Sequence, residues 1–219
     1  MKNRVLVVAV HPDDETLGCG GTLLKHKVNS DEIHWLICTT IDKSHRYYEL
    51  RENEIEQVSN MYGFDSIHHL RLKSMQVDEY TMRELVGEVS RVINEVKPAI
   101  IYLPFKGDIH SDHKKIFDAN YSCTKSFRYP FIKKVYMMET LSETEFAPST
   151  KEDSFVPTTF VDISEYLDKK IEIINVYKSE MKEHPFPRSE RNIRALATFR
   201  GATAGCNYAE SFMLLKEIL

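Results

Sequence analysis

The chain alternates short, wholly apolar runs with stretches in which apolar residues recur every three or four positions. Residues 5–10 (Val-Leu-Val-Val-Ala-Val) are unbroken, the pattern of a strand covered on both faces. Residues 33–40, 67–72, 99–103 and 134–139 read as further strands, with one more over 155–163. Between them the spacing predicts helices over 16–28, 45–62, 81–96 and 114–127. Leu50, Ile55, Val58 and Met61 share one face of the second, and Gly63 is a natural stop. Leu85, Val89, Val92, Ile93 and Val96 line the third, which Lys97-Pro98 ends. A long helix is expected over 164–182 and helical character over 188–200.

Strands alternating with helices define an α/β fold: a Rossmann-like, doubly wound, mostly parallel sheet with helices on both faces, expected as a single domain over 1–219. The common strand order 3-2-1-4-5 sets the first and fourth strands side by side at the switch point, where such sheets bind ligands beyond their carboxyl ends. Those two strands run into His11-Pro-Asp-Asp-Glu15 and His110-Ser-Asp-His113. Clusters about a hundred residues apart are thus expected to share one crevice.

Composition narrows the classes. With 42% hydrophobic residues the chain can build a core without disulfides, and its formal charge of -4 argues against a general nucleic-acid binder. Cys19, Cys38, Cys123 and Cys206 are far apart, with no C-x-x-C spacing, and read as free thiols of a reducing compartment. Met1-Lys-Asn-Arg4 and the run after it imitate a signal peptide, but the run is too short and ends in His-Pro-Asp-Asp. No run is long enough to cross a bilayer. A cytoplasmic protein without stable membrane insertion is expected; a homo-oligomer is compatible with the sequence.

The chemistry then takes shape. His11, Asp14 and His113 can offer two nitrogens and one carboxylate oxygen to a catalytic zinc ion, leaving a position for water. The same donors suit ferrous iron. Zinc brings the pKa of bound water towards 7. Asp13 need not ligate and is the candidate base. A histidine such as His110, kept protonated by a neighbour such as Asp112, can donate to a developing oxyanion. Glu15 is expected to support the site from behind. Either cluster alone has a plain structural reading, Asp-Asp as a helix cap and H-x-D-H as a solvated loop; their convergence favours a metal site. His68 and His69 point to opposite faces of a strand and make a poor ligand pair. His26, His34, His45 and His184 read as surface or satisfied residues. Gly18-Cys-Gly-Gly21 lacks the G-x-G-x-x-G spacing and is better suited to packing the first helix against the sheet. Arg51, in an acidic stretch, reads from the residues alone as part of a solvated, salt-bridging face.

Ala9-Val-His-Pro-Asp-Asp-Glu-Thr-Leu-Gly-Cys-Gly-Gly21 resembles the signature of the PIG-L/LmbE-like zinc-dependent de-N-acetylases. Arg51, Glu54 and Gly63 resemble the family's R-x-x-E…G segment, His110-Ser-Asp-His113 its second metal motif, and Arg200-Gly201 with Tyr208-Ala-Glu-Ser-Phe212 its C-terminal segment. The resemblance spans nearly the whole chain. It implies an LmbE-like fold, zinc on His11, Asp14 and His113, and Asp13 as general base. It also implies His110 stabilising the tetrahedral intermediate, oriented by Asp112, and Arg51 contacting a small-molecule amino sugar. Ser111 stands where the motif often has proline. Lys106-Gly-Asp108 stands where some members place a tyrosine, which leaves the oxyanion to His110 or to a tyrosine elsewhere, with Tyr208 a candidate. The anchor of the membrane-bound members is absent, which argues against a lipid substrate. Tyr47, Tyr48, Arg51, Phe186, Arg188 and Arg191 are expected at the pocket rim. A non-catalytic sugar-binding module and a nucleotide-sugar-dependent transferase remain the alternatives.

Overall fold

Residues 5–10 are fully buried in the computed structural model, which describes residues 2–219. Val5, Val7 and Ala9 pack into one hydrophobic cluster and Leu6, Val8 and Val10 into another, one on each face of the sheet. Each of the four valines and Leu6 contributes about 1.5–3 kcal/mol by leaving water, so this strand belongs at the centre. The chain runs β1 (Arg4–Ala9), α1 (Asp14–Val28), β2 (Glu32–Thr40), α2 (Tyr48–Tyr62), β3 (Ser66–Lys73), α3 (Met82–Val96) and β4 (Ile100–Leu103). It continues through α4 (Ser111–Ser122), β5 (Lys134–Met138), β6 (Thr159–Asp162), α5 (Leu167–Ile174), α6 (Glu190–Ala204) and β7 (Ala209–Glu217). The seven-stranded sheet has the order β3-β2-β1-β4-β5-β7-β6. The first five strands are parallel in the expected order, and β7 runs antiparallel to both β5 and β6.

Three expectations are corrected. The helix expected over 164–182 exists only as α5, Leu167–Ile174. Past its end, Tyr177 donates its hydroxyl to Glu15 at 3.0 Å and the Lys178 N–H goes to Glu54 at 3.2 Å, so tertiary partners replace the helical ones. The helix expected over 114–127 starts earlier, at Ser111, because the His110 imidazole accepts the Asp112 N–H at 3.1 Å and caps it. β7, whose buried end carries the charged Glu210, is an addition to the expected strands. The stop at Gly63 holds, with φ 66°, and Thr81 forms a capping box with Glu84 at the start of α3.

Helix α1 is broken at Cys19, where φ is -147°. The Glu210 carboxylate accepts the freed N–H groups of Gly21 and Thr22 at 2.9 and 2.7 Å. Lys170 bridges Glu210 at 2.7 Å and the Leu17 carbonyl at 2.9 Å, so a buried ion pair splices the two halves. The glycines serve close packing, as expected: a Cβ on Gly18 would lie 2.9 Å from Met138 Cβ, and one on Gly21 2.7 Å from Ile163. Glu210→Gln weakens the splice while keeping its shape and is expected to cost about 2 kcal/mol in urea unfolding. An unchanged midpoint and slope would mean that the splice contributes nothing to stability.

Candidate metal centre and catalytic cleft

β1 ends at Ala9, and the chain turns through His11 and Pro12 into α1, which opens at Asp14. β4, hydrogen-bonded to β1, delivers the second cluster in the same way, on the first turn of α4. The expected convergence is therefore observed, and His11, Asp14 and His113 present donor atoms all within 4.8 Å of one another. His113 Nε2 lies 3.4 Å from Asp14 Oδ2, and His11 Nδ1 3.9 Å from the same oxygen. Donors sharing one tetrahedral ion at about 2.0–2.2 Å lie roughly 3.3–3.6 Å apart, close to this spacing.

The surrounding groups set which atoms are free. His113 is fully buried, and its Nδ1 donates to Asp108 Oδ2 at 2.8 Å. Asp108 is itself held by the Thr144 hydroxyl at 2.7 Å. Protonated on Nδ1 alone, the ring would present Nε2 as a lone pair, and that buried atom has no hydrogen-bond partner. An orphaned acceptor beside a carboxylate fits a cation. Burial lowers the His113 pKa, but Asp14 and Asp108 outweigh it and raise it to about 9, so the environment favours positive charge. His11 Nε2 lies 3.3 Å from Asp112, which frees its Nδ1 to ligate. His11, His110 and Asp112 form a second cluster of donors, but the Asp112 oxygens already accept the N–H groups of Met75 at 2.7 Å and Val77 at 3.3 Å.

This geometry changes one expectation. The Asp112 carboxylate faces His11, not His110; His110 receives only the Asp112 backbone N–H, on Nδ1. Burial, reinforced by His11, lowers the His110 pKa and so favours the neutral imidazole, in which the Asp112 N–H on Nδ1 leaves the proton on Nε2. It remains a hydrogen-bond donor.

Asp13 is buried at φ 131°, a backbone conformation few side-chain-bearing residues adopt. Its N–H donates to Glu15 Oε2 at 3.1 Å, while Thr16 and Tyr177 hydroxyls hold Glu15 Oε1 at 2.6 and 3.0 Å. Glu15 thus supports the site from behind, as expected. Burial pushes the Asp13 pKa up to about 7, opposed by Arg188 and reinforced by Asp14 and Glu180.

One cavity of about 220 Å³ is lined by His11, Asp13, Asp14, Arg51, His110 and Arg188, together with Glu143 and Glu180. Arg51 does line it, but its guanidinium is pinned to the Pro12 carbonyl at 3.2 Å, the Ser179 hydroxyl at 3.2 Å and the Glu180 carboxylate. Arg188, expected only at the rim, donates to Asp13 at 2.6 Å and to Glu180 at 3.0 Å. Tyr47, Tyr48 and Tyr208 are not among the lining residues, and Arg191 lines a different depression. His69 lines the cavity with its Nε2 on the Thr39 carbonyl at 2.9 Å, and His26 is satisfied by Asp31 and Tyr102. The family's C-terminal arginine has a structural job: Arg200 forks onto Glu139 at the end of β5. Asp108, Glu143 and Glu180 join the site beyond the residues that the sequence motifs mark. Only Asp108 carried a local signal, since it lies just before the second histidine cluster.

The chain is a doubly wound α/β protein whose switch point gathers three donors that could hold a metal ion. The chain belongs to the PIG-L family: the family profile, described as GlcNAc-PI de-N-acetylase, matches residues 6–124. Diacetylchitobiose deacetylase of Thermococcus kodakarensis is 25% identical over 228 residues, covering 98% of this chain and 84% of that protein. A probable N-acetyl-alpha-D-glucosaminyl L-malate deacetylase of Bacillus anthracis is 23% identical, covering 82% of this chain and 83% of its own. The solved structure of N,N'-diacetylchitobiose deacetylase from Pyrococcus horikoshii superposes with a TM-score of 0.78 at 20% identity, covering 98% of this chain and 84% of that one, a likeness in fold. Among the described residues no helix is long and apolar enough to cross a membrane.

Proposed function

We propose that this protein is a zinc-dependent hydrolase that removes the acetyl group from an N-acetylated amino sugar of the N-acetylglucosamine type. The observation that carries the reading is the convergence of His11, Asp14 and His113 donors at the floor of a cavity that His11, Asp13, Asp14 and His110 line. Family membership points to the same reaction.

The residues would hold zinc through His11 Nδ1, Asp14 and His113 Nε2; ferrous iron suits the same donors. A divalent cation bound there would acidify water and polarise the acetamide carbonyl. Asp13 takes the proton from the attacking water, and its raised pKa lets it give that proton to the departing amine. His110 donates its Nε2–H to the oxygen on which negative charge develops. Asp108 and Asp112 hold the two liganding rings, and Arg188 and Glu15 hold Asp13 from either side. The products are acetate and a free amine.

The test is acetate release by metal-reconstituted protein from N-acetylglucosamine and N,N'-diacetylchitobiose, compared with the metal-stripped protein. Metal-dependent release from either is the expected result. Protein that retains one metal per chain and releases acetate from none of a broad panel of N-acetylated sugars would overturn the reading.

A further inference from the structure

The cleft presents four carboxylates, of Asp13, Asp14, Glu143 and Glu180, against two guanidinium groups, of Arg51 and Arg188, and no lysine. Both guanidinium groups are already engaged, and Glu180 engages them together. One of its oxygens accepts from Arg51 Nη2 and the other from Arg188 Nη1 at 3.0 Å. Arg51 is further committed to the Pro12 carbonyl and lies 3.6 Å from Glu54, while Arg188 is committed to Asp13. The Arg188 Nε is buried and has no hydrogen-bond partner. Neither guanidinium group is left without a carboxylate partner. A substrate carrying a phosphate or carboxylate must either enter without a counter-charge or displace Glu180 and leave that carboxylate uncompensated in a half-buried setting, which is strongly unfavourable.

The uncommitted groups suit a neutral polyol. Glu143 Oε2 is buried and without a partner, an acceptor for a hydroxyl, and the Ser74 and Ser142 side chains line the same space. Glu180 lies outside residues 6–124, the span matched by the family profile.

We propose that Glu180 is a specificity residue which, by neutralising Arg51 and Arg188 internally, makes this site select uncharged N-acetylated sugars over those with an anionic substituent. The inference rests on the deacetylase reading. Like-charge exclusion of this kind works by penalising the wrong partner.

The probes are methyl N-acetylglucosaminide and N-acetylglucosamine 1-phosphate, which share the sugar and differ in charge. Their affinities are measured by calorimetry on metal-loaded wild-type protein and Glu180→Gln, with acetate release followed in parallel. The wild type is expected to favour the neutral sugar, and Glu180→Gln to move the affinity ratio towards the phosphate by about tenfold. Glu180→Asp, whose shorter carboxylate cannot span both arginines, is expected to move it in the same direction by less. It serves as the second variant should Glu180→Gln not fold. A wild type that favours the phosphate, or a ratio unmoved in a folded Glu180 variant, overturns the proposal even where acetate release upholds the deacetylase reading. Absence of acetate release with the affinity shift intact instead counts against that reading alone.

Discussion

Asp13→Asn is expected to retain its metal and to release acetate about 10³-fold more slowly, with kcat falling and KM little changed. Asparagine is the informative replacement for two reasons. Asp13 sits at φ 131°, where alanine would add backbone strain, whereas asparagine tolerates positive φ better than most residues. The asparagine carbonyl can also still accept the Arg188 bond now made at 2.6 Å, so the cleft should keep its shape. What is lost is the ability to take a proton from water and hand it to the amine. Metal content by elemental analysis, read beside steady-state acetate release, separates this loss from loss of the site. A metal-loaded Asp13→Asn protein turning over within threefold of wild type would remove Asp13 from the mechanism.

Much of this site was legible because its central members are local in sequence. His11, Asp13 and Asp14 follow one buried run directly, and His110 and His113 follow another, so the strand order alone brings them together. What supports them was less visible. Arg188 reaches Asp13 across 175 positions and Tyr177 reaches Glu15 across 162, separations at which no motif or periodicity relates two residues. Residues 175–182 fall within the helix expected over 164–182, of which only Leu167–Ile174 forms. The bonds that overrule this propensity, from Tyr177 to Glu15 and from Lys178 to Glu54, are tertiary. β7 escaped notice for a related reason. Its buried Glu210 looks like a surface residue until the kink at Cys19 supplies two N–H groups for it to accept. His110 shows the reverse case: its side chain was read as chemistry only, yet it also caps α4 and so places His113 on the first helical turn.

Removing the His113 imidazole should abolish stoichiometric metal retention, and perturbing its support should weaken retention in a graded way. His113→Ala removes the proposed donor that is most deeply buried of the three. The variant is expected to lose metal on gel filtration and, with it, acetate release. Asp108→Asn is the sharper test. The Asp108 carboxylate fixes the proton on His113 Nδ1 and leaves Nε2 as the free lone pair; an asparagine that turns its amide towards the ring would favour the opposite tautomer. Changes to such supporting groups typically cost about 10- to 100-fold in metal affinity. Titration with a competing chelator is therefore expected to show that loss for Asp108→Asn, with excess metal restoring most of the activity. If Asp108→Asn binds metal as tightly as wild type, the Nδ1–Asp108 bond does not set the ligand tautomer. If His113→Ala still retains one metal per chain, the ion is held elsewhere, and the His11, His110 and Asp112 cluster becomes the site to examine.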